Sequence, residues 1–197
     1  YKVSFSEDGI IDEELWDRAK RKVAFLFKER NSGKEDFREL LKKDENPWPI
    51  VGYWSYGLQN VTSIFLPDFS EADINKKDFC QSSAIVNLKK APGGGSSNMN
   101  NIKEVALLDR DSLEEELRII SPEIIVCGGT FNICTQLWGK YEMISERIHK
   151  TAVFKDVVWI DFAHPAARIG QDVLYYALLY FFQKYLNNIM GNFLLDK

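Results

Sequence analysis

Apolar residues in this chain gather in short unbroken runs, each followed by a polar loop and then a stretch of helical character. Residues 23–27 (Val-Ala-Phe-Leu-Phe), 83–88 (Ser-Ala-Ile-Val-Asn-Leu), 123–127 (Glu-Ile-Ile-Val-Cys) and 157–162 (Val-Val-Trp-Ile-Asp-Phe) are four such runs. Runs of this length bounded by turn residues predict strands buried on both faces, as in a parallel sheet. Between them, residues 11–22 place acids first and bases last, the polarity that suits a helix dipole. Residues 34–43 and 131–137 read as helices, and Ser112 with Glu115 forms a capping-box pattern that opens a helix ending near Ile120. From Gln171 onward the chain reads as one long buried helix. Its richest stretch, 173–186, is broken by Gln183 and Lys184 and is too short and too interrupted to span a membrane. Strands alternating with helical crossovers predict an α/β fold, a three-layer α/β/α domain with a central four-stranded, mainly parallel sheet. In such sheets ligands gather beyond the carboxyl ends of the strands, so the loops after the strands are where chemistry is expected.

Composition narrows the function. With 25 Lys+Arg against 29 Asp+Glu the net charge is −4, which excludes a generally basic nucleic-acid coat and demands a local basic patch for any DNA contact. Cys80, Cys127 and Cys134 contain no C-x-x-C pair, which argues against a disulfide framework, a zinc knuckle or an iron-sulfur cluster. The chain begins at Tyr1 with no basic-then-apolar leader, so a cytoplasmic protein is expected. One domain over 1–197 is expected, with residues 1–21 as an N-terminal helical extension and 92–101 as the one low-complexity stretch, a functional loop.

Several residues at the predicted strand ends could carry chemistry. Glu29, between Lys28 and Arg30 with Gly33 beyond, is a candidate base, although spacing alone favours the plainer reading of a solvated ion pair with Arg30. Asn87 interrupts an apolar strand, and its amide presents the donor and acceptor needed to tell one pyrimidine edge from another; it reads equally as a structural Asn bonding to nearby backbone. The loop that follows carries Lys89, Lys90, Gly93, Gly94 and Ser96, a composition suited to a phosphate, although it lacks the ending of a Walker motif. His164 stands directly after a strand, stiffened by Pro165, with Arg168 within reach. The other histidine, His149, lies among charged residues and reads as a surface group, so no metal site is expected. Tyr53 and Trp54, in an aromatic cluster over 49–57, would either stack a planar ligand or fill the core.

Taken in order, these segments resemble the uracil-DNA glycosylase superfamily. Its smaller thermophile-type branches have a first strand ending in a Gly-Glu-Ala-Pro-Gly-like loop, a Pro-Phe-Val-Gly segment, a strand with Asn before a Lys- and Pro-containing loop, and a last strand ending in His-Pro-Ser. Residues 25–33 (Phe-Leu-Phe-Lys-Glu-Arg-Asn-Ser-Gly), 48–52 (Trp-Pro-Ile-Val-Gly), 85–92 (Ile-Val-Asn-Leu-Lys-Lys-Ala-Pro) and 164–166 (His-Pro-Ala) are similar to these in turn. Residues 121–129 (Ser-Pro-Glu-Ile-Ile-Val-Cys-Gly-Gly) resemble the family's Pro-x-x-hydrophobic-hydrophobic-x-Gly strand, and the likeness covers 22–186. The chain departs from the pattern with Lys28 in place of glycine, Arg30-Asn-Ser-Gly in place of Ala-Pro-Gly, and Ala166 in place of serine.

The resemblance implies a DNA-repair hydrolase that takes a flipped base into a pocket and hydrolyses its N-glycosidic bond without a cofactor. By the same carry-over Glu29 would activate water or stabilise the developing sugar cation, and Asn87 would read the pyrimidine. His164 would hydrogen-bond the leaving base, Tyr53 or Trp54 would stack on it, and Lys89, Lys90 and Arg168 would form the local basic patch. The partner implied is DNA, single-stranded strands included, or a free nucleotide. The alternative is a non-catalytic nucleotide- or partner-binding module on the same fold. A generic doubly wound phosphate hydrolase is a third reading, supported only by the glycine turns at Gly93 and Gly128.

Overall fold

The four apolar runs become four parallel strands at the centre of a larger sheet. The computed structural model describes residues 6–31, 36–43, 48–94, 96–139, 141–145 and 150–195. In chain order the elements are β1 (Gly9–Ile10), α1 (Glu13–Arg18), β2 (Val23–Glu29), α2 (Phe37–Lys42), α3 (Pro49–Asn60), α4 (Phe69–Gln81), β3 (Ala84–Lys89), α5 (Met99–Leu108) and α6 (Arg110–Ile120). They continue with β4 (Ile124–Gly128), α7 (Phe131–Trp138), β5 (Glu142–Ser145), β6 (Thr151–Phe154), β7 (Val157–Phe162) and α8 (Gln171–Leu195). The sheet order is β1-β3-β2-β4-β7-β6-β5. Neighbours within β3-β2-β4-β7 are parallel, while β1 on one edge and the β6 and β5 pair on the other run antiparallel to their neighbours.

Pleating sends alternate residues of the central strands to opposite faces. Val23, Phe25 and Phe27 of β2 enter one core with Trp54 and Leu58 of α3 and Leu178 of α8. Ala24 and Leu26 enter a second core with Trp16 of α1, Ile102 of α5, Leu113 of α6 and Phe131 of α7. Helices therefore cover both faces, and the three-layer α/β/α arrangement follows from two-sided burial of the strands.

Four expectations require correction. Among the described residues the sheet has seven strands instead of four, because short antiparallel strands protect both edges of the parallel centre. Residues before β2 are no mere helical extension: Gly9 and Ile10 pair with Ile85 and Ala84, and Trp16 is buried in the second core. The capping box at Ser112 is not used. Asp109 both ends α5 and begins α6, so the helix starts at Arg110, ahead of Ser112, with no side-chain cap bond. The loop expected over 92–101 also gives way earlier than predicted, since Asn98 caps α5 by accepting from the amides of Asn100 and Asn101. Gly33 and His149 lie outside the described residues.

Candidate functional site

Register brings the carboxyl ends of the parallel strands together. Glu29 ends β2 and is paired in register with Lys89, the end of β3. Gly128 ends β4 opposite Phe162, the end of β7, and His164 follows two residues on. The motif residues that are far apart in sequence thus converge on one end of the sheet, where open α/β sheets take their ligands.

Glu29 is buried there, with its side chain 3% exposed, and accepts a hydrogen bond from Lys89 Nζ at 2.5 Å. Arg30 is buried too, its guanidinium over the Phe37 ring at 5.4 Å, so the solvated Glu29 and Arg30 pair is excluded. Above the acid, the Gly93 amide donates to the Arg30 carbonyl at 2.7 Å. The glycine-rich loop therefore closes over a carboxylate. Lys89 is consequently engaged with protein and not held ready for a phosphate. The same holds for Lys90, whose Nζ donates to Asp8 Oδ1 and to Glu116 Oε2, both at 2.6 Å. Burial pushes the Glu116 carboxyl up to about 7, with the nearby Asp8 carboxylate acting in the same direction against the opposing pull of Lys90. Gly94, Ser96 and Arg168 are exposed and remain the parts of the expected phosphate set that face solvent.

Asn87 is 1% exposed. Its backbone amide and its Nδ2 both donate to Asp8 Oδ2, at 2.7 and 3.0 Å, while its Oδ1 is buried without a partner. Asp8 is carried in by the segment before β1, where the Ser6 amide donates to the Lys90 carbonyl and the Glu7 carbonyl accepts from the Phe37 amide. A side-chain amide with one of its two donors engaged and its acceptor unmet is an incomplete reader. An unmade bond of this kind costs roughly 1–3 kcal/mol until a donor arrives.

His164 is half-buried, its ring 5.4 Å from Phe27 and 5.6 Å from Trp48. Burial first, and then the charge of Lys28, push its pKa down to about 4. The imidazole is therefore neutral at pH 7. Its Nδ1 accepts the Ala166 amide at 3.2 Å, which assigns the remaining proton to Nε2, a donor with no partner among the described residues. Lys28 is half-buried and makes no ion pair among the described residues; its Nζ would lie 3.7 Å from a Cβ built on Gly129, whose φ of +71° suits glycine. Lys28 in place of the resembled glycine therefore puts a cation beside the imidazole.

The expected stacking residues are elsewhere. Trp54 is fully buried in the core against Phe25 and Phe162, and Tyr53 packs its ring on Phe69 and donates its hydroxyl to Asp73. Both point into helix packing because they sit within the body of α3. The aromatic at the strand ends is Trp48, which contacts Phe27, Phe37 and His164 from the residue just before α3. Its signal in sequence was its place ahead of Pro49, since a proline at the first helical position marks the residue before it as the one at the helix mouth.

Among the described residues no cluster of His, Cys, Asp and Glu could hold a metal, and no helix is long and apolar enough to cross a membrane. Compared with known proteins, the chain matches no family model and no curated sequence.

Proposed function

We propose that this protein acts in the manner of a divergent uracil-DNA glycosylase-like protein, binding a nucleobase turned out of DNA at the carboxyl ends of β2, β3, β4 and β7. The observation that carries this reading is a complementary pair of unmet groups: the Nε2 donor of a neutral His164 and the buried Oδ1 acceptor of Asn87. Phe27 links them, as the register partner of Asn87 and the ring neighbour of His164. A pyrimidine offers what they lack, a carbonyl oxygen for the imidazole and a ring N–H for the amide. Trp48 supplies an aromatic wall.

Hydrolysis of the glycosidic bond is a second reading, favoured by the same imidazole. A donor held toward the oxygen of a leaving base stabilises its developing anion, by about 3–4 kcal/mol for a well-placed group. The neutral form is competent for this role, because its one ring proton sits on Nε2 while Nδ1 accepts the Ala166 amide. Glu29 would then stabilise the sugar cation or orient water, which requires it to leave Lys89 and the cover of Gly93. The buried ion pair thus favours binding over cleavage.

The experiment incubates the protein with single- and double-stranded oligonucleotides carrying uracil, hypoxanthine, xanthine or a thymine mismatch. Affinity is followed by anisotropy and abasic sites by alkali cleavage, beside Glu29→Gln and His164→Ala. Binding that weakens in His164→Ala supports the reading. Alkali-labile product lost in both variants adds the hydrolysis, and no preference for any modified strand over an unmodified one overturns the proposal.

A further inference from the structure

The face of α8 turned away from the core carries Val173, Tyr176 and Tyr180 at helical spacing, beside the buried stripe of Leu174, Leu178 and Phe182. The segment between α3 and α4 runs along this helix and is tied to it at both ends. At one end Gln183 Nε2 donates to the Thr62 carbonyl at 2.9 Å. At the other the Tyr175 hydroxyl donates to the Pro67 carbonyl, and the Tyr176 hydroxyl accepts from the Phe69 amide, both at 3.1 Å. Ile64, Phe65 and Leu66 lie between these ties, so they adjoin the apolar strip of α8 and widen it into one surface.

That surface is bare. Ile64 is 94% exposed, Val173 58%, Phe65 52% and Tyr180 48%, with Leu66 and Tyr176 each above a third. Scattered apolar residues at a surface are ordinary, but these are gathered in one place. Together they present about 600 Å² of apolar side chain, the upper end of what a typical monomer leaves uncovered. Nothing in the proposed base-binding site uses them.

Area and symmetry say what covers the surface. A stable interface takes about 800 Å² from each partner, and homodimers make about 65% of it apolar, whereas partners that come and go meet through surfaces no more apolar than the rest of the protein. About 600 Å² of apolar side chain inside a polar rim matches the homodimer case. That rim is Thr62, Ser63, Asp172 and Lys184, the last lying over the Tyr180 ring at 4.6 Å. The strip is also self-complementary. Tyr176 and Tyr180 stand at equal distances along the chain on either side of Leu178. A twofold axis beside Leu178 therefore lays two copies of α8 antiparallel, with Tyr176 of one against the partner's Tyr180. Ala177, small and half-buried between the tyrosines, lets the helices approach. The 64–66 segments, tied to α8 on both sides of Leu178, meet across the same axis.

We infer that the protein forms a twofold-symmetric dimer through the outer face of α8 and the 64–66 segment. Each copy covers the other's apolar strip, and the isologous contact closes at two copies.

Sedimentation equilibrium of the full chain from about 1 to 100 μM is the test. The mass should rise to that of two chains and stop there. Ile64→Asp puts a charge into the buried centre, and Tyr180→Ala removes the ring that the partner's Tyr176 packs on. Symmetry counts each change twice, so each should weaken the dimer by at least about tenfold while the thermal melt stays cooperative. The two lie on separate elements, so one still tests the surface should the other fail to fold. Leu108→Asp is the comparison: this leucine, 86% exposed at the end of α5, lies outside the strip, and its replacement should leave the mass unchanged. A monomer at the highest concentration overturns the inference and assigns the surface to a different partner. So does a dimer that survives both folded variants, an equal loss in Leu108→Asp, or a mass that grows past two copies.

Discussion

Gly93 rests directly on the carboxylate of Glu29: a Cβ built at Gly93 would stand 2.2 Å from Glu29 Cδ and within 2.4 Å of both oxygens. Close approach, and no unusual φ, is what requires glycine here. Gly93→Ala should therefore destabilise the fold by about 1–3 kcal/mol, the usual range for overpacking. Urea denaturation measures it, and the penalty should shrink in a Glu29→Ala background, because neighbouring sites couple.

The acid beneath that glycine depends on Lys89. Lys89→Met leaves a buried carboxylate without its counter-ion and should cost about 3–5 kcal/mol, the range seen when one partner of a buried pair is removed. Replacing both, as Glu29→Gln with Lys89→Met, should be much milder than Lys89→Met alone. Chemical denaturation of the two variants at neutral pH decides it. Equal losses would mean that the pair contributes by packing instead of by charge.

His164 gives a pH dependence with a definite sign. Its folded pKa, pushed down to about 4, lies below the ordinary histidine value of 6.5, so folding favours the neutral ring. The stability this contributes is fully present above about 6.5 and is lost as pH falls from there through about 4. An NMR titration of the imidazole Cε1 proton should find the low midpoint directly. Lys28→Met should raise that midpoint by removing a positive neighbour, yet leave it below 6.5, because burial is the larger cause.

Glu116 works in the opposite direction. Its carboxyl is raised from 4.5 to about 7 by burial, with Asp8 adding to the effect, so the folded state favours the protonated form. The corresponding stability is present below about 4.5 and declines as pH rises through about 7. Glu116→Gln keeps a neutral group beside Lys90 and should flatten thermal stability across that window. An unchanged pH profile in the variant would place the titration elsewhere.

The parallel centre of this fold was legible because two-sided burial writes itself as unbroken apolar runs: β7 has the predicted limits, and β2, β3 and β4 differ from prediction by one or two residues at their ends. The edges were not legible. Gly9 and Ile10 are too few to show a period, and the β6–β7 turn uses Lys155 and Asp156 at positive φ where Asn-Gly would have announced a hairpin. Glu29, Asn87 and His164 stand out in the sequence as polar residues at the ends of apolar strands, and strand register brings those ends together. Their partners do not stand out, since Asp8 lies 79 residues from Asn87 and Glu116 lies 26 from Lys90. Tyr53 and Trp54 misled because aromatic composition does not say which side of a helix meets the core.

Asp8 is the residue that most directly limits the proposed reader. It accepts from both the backbone amide and the Nδ2 of Asn87, which engages one of the two side-chain donors and leaves Oδ1 unmet. Asp8→Ala uncovers two donors, and Glu116, relieved of the Asp8 charge that helps to keep it protonated, serves as the counter-ion of Lys90. Stability should fall by roughly 1–3 kcal/mol for each donor left without a partner or water. Affinity for a single-stranded uracil oligonucleotide should rise, because the amide then offers donor and acceptor together to one pyrimidine edge. Anisotropy well below the melting temperature separates the two effects. Weaker binding in a folded Asp8→Ala protein would mean that Asp8 orients Asn87 for its ligand instead of occupying the ligand's place.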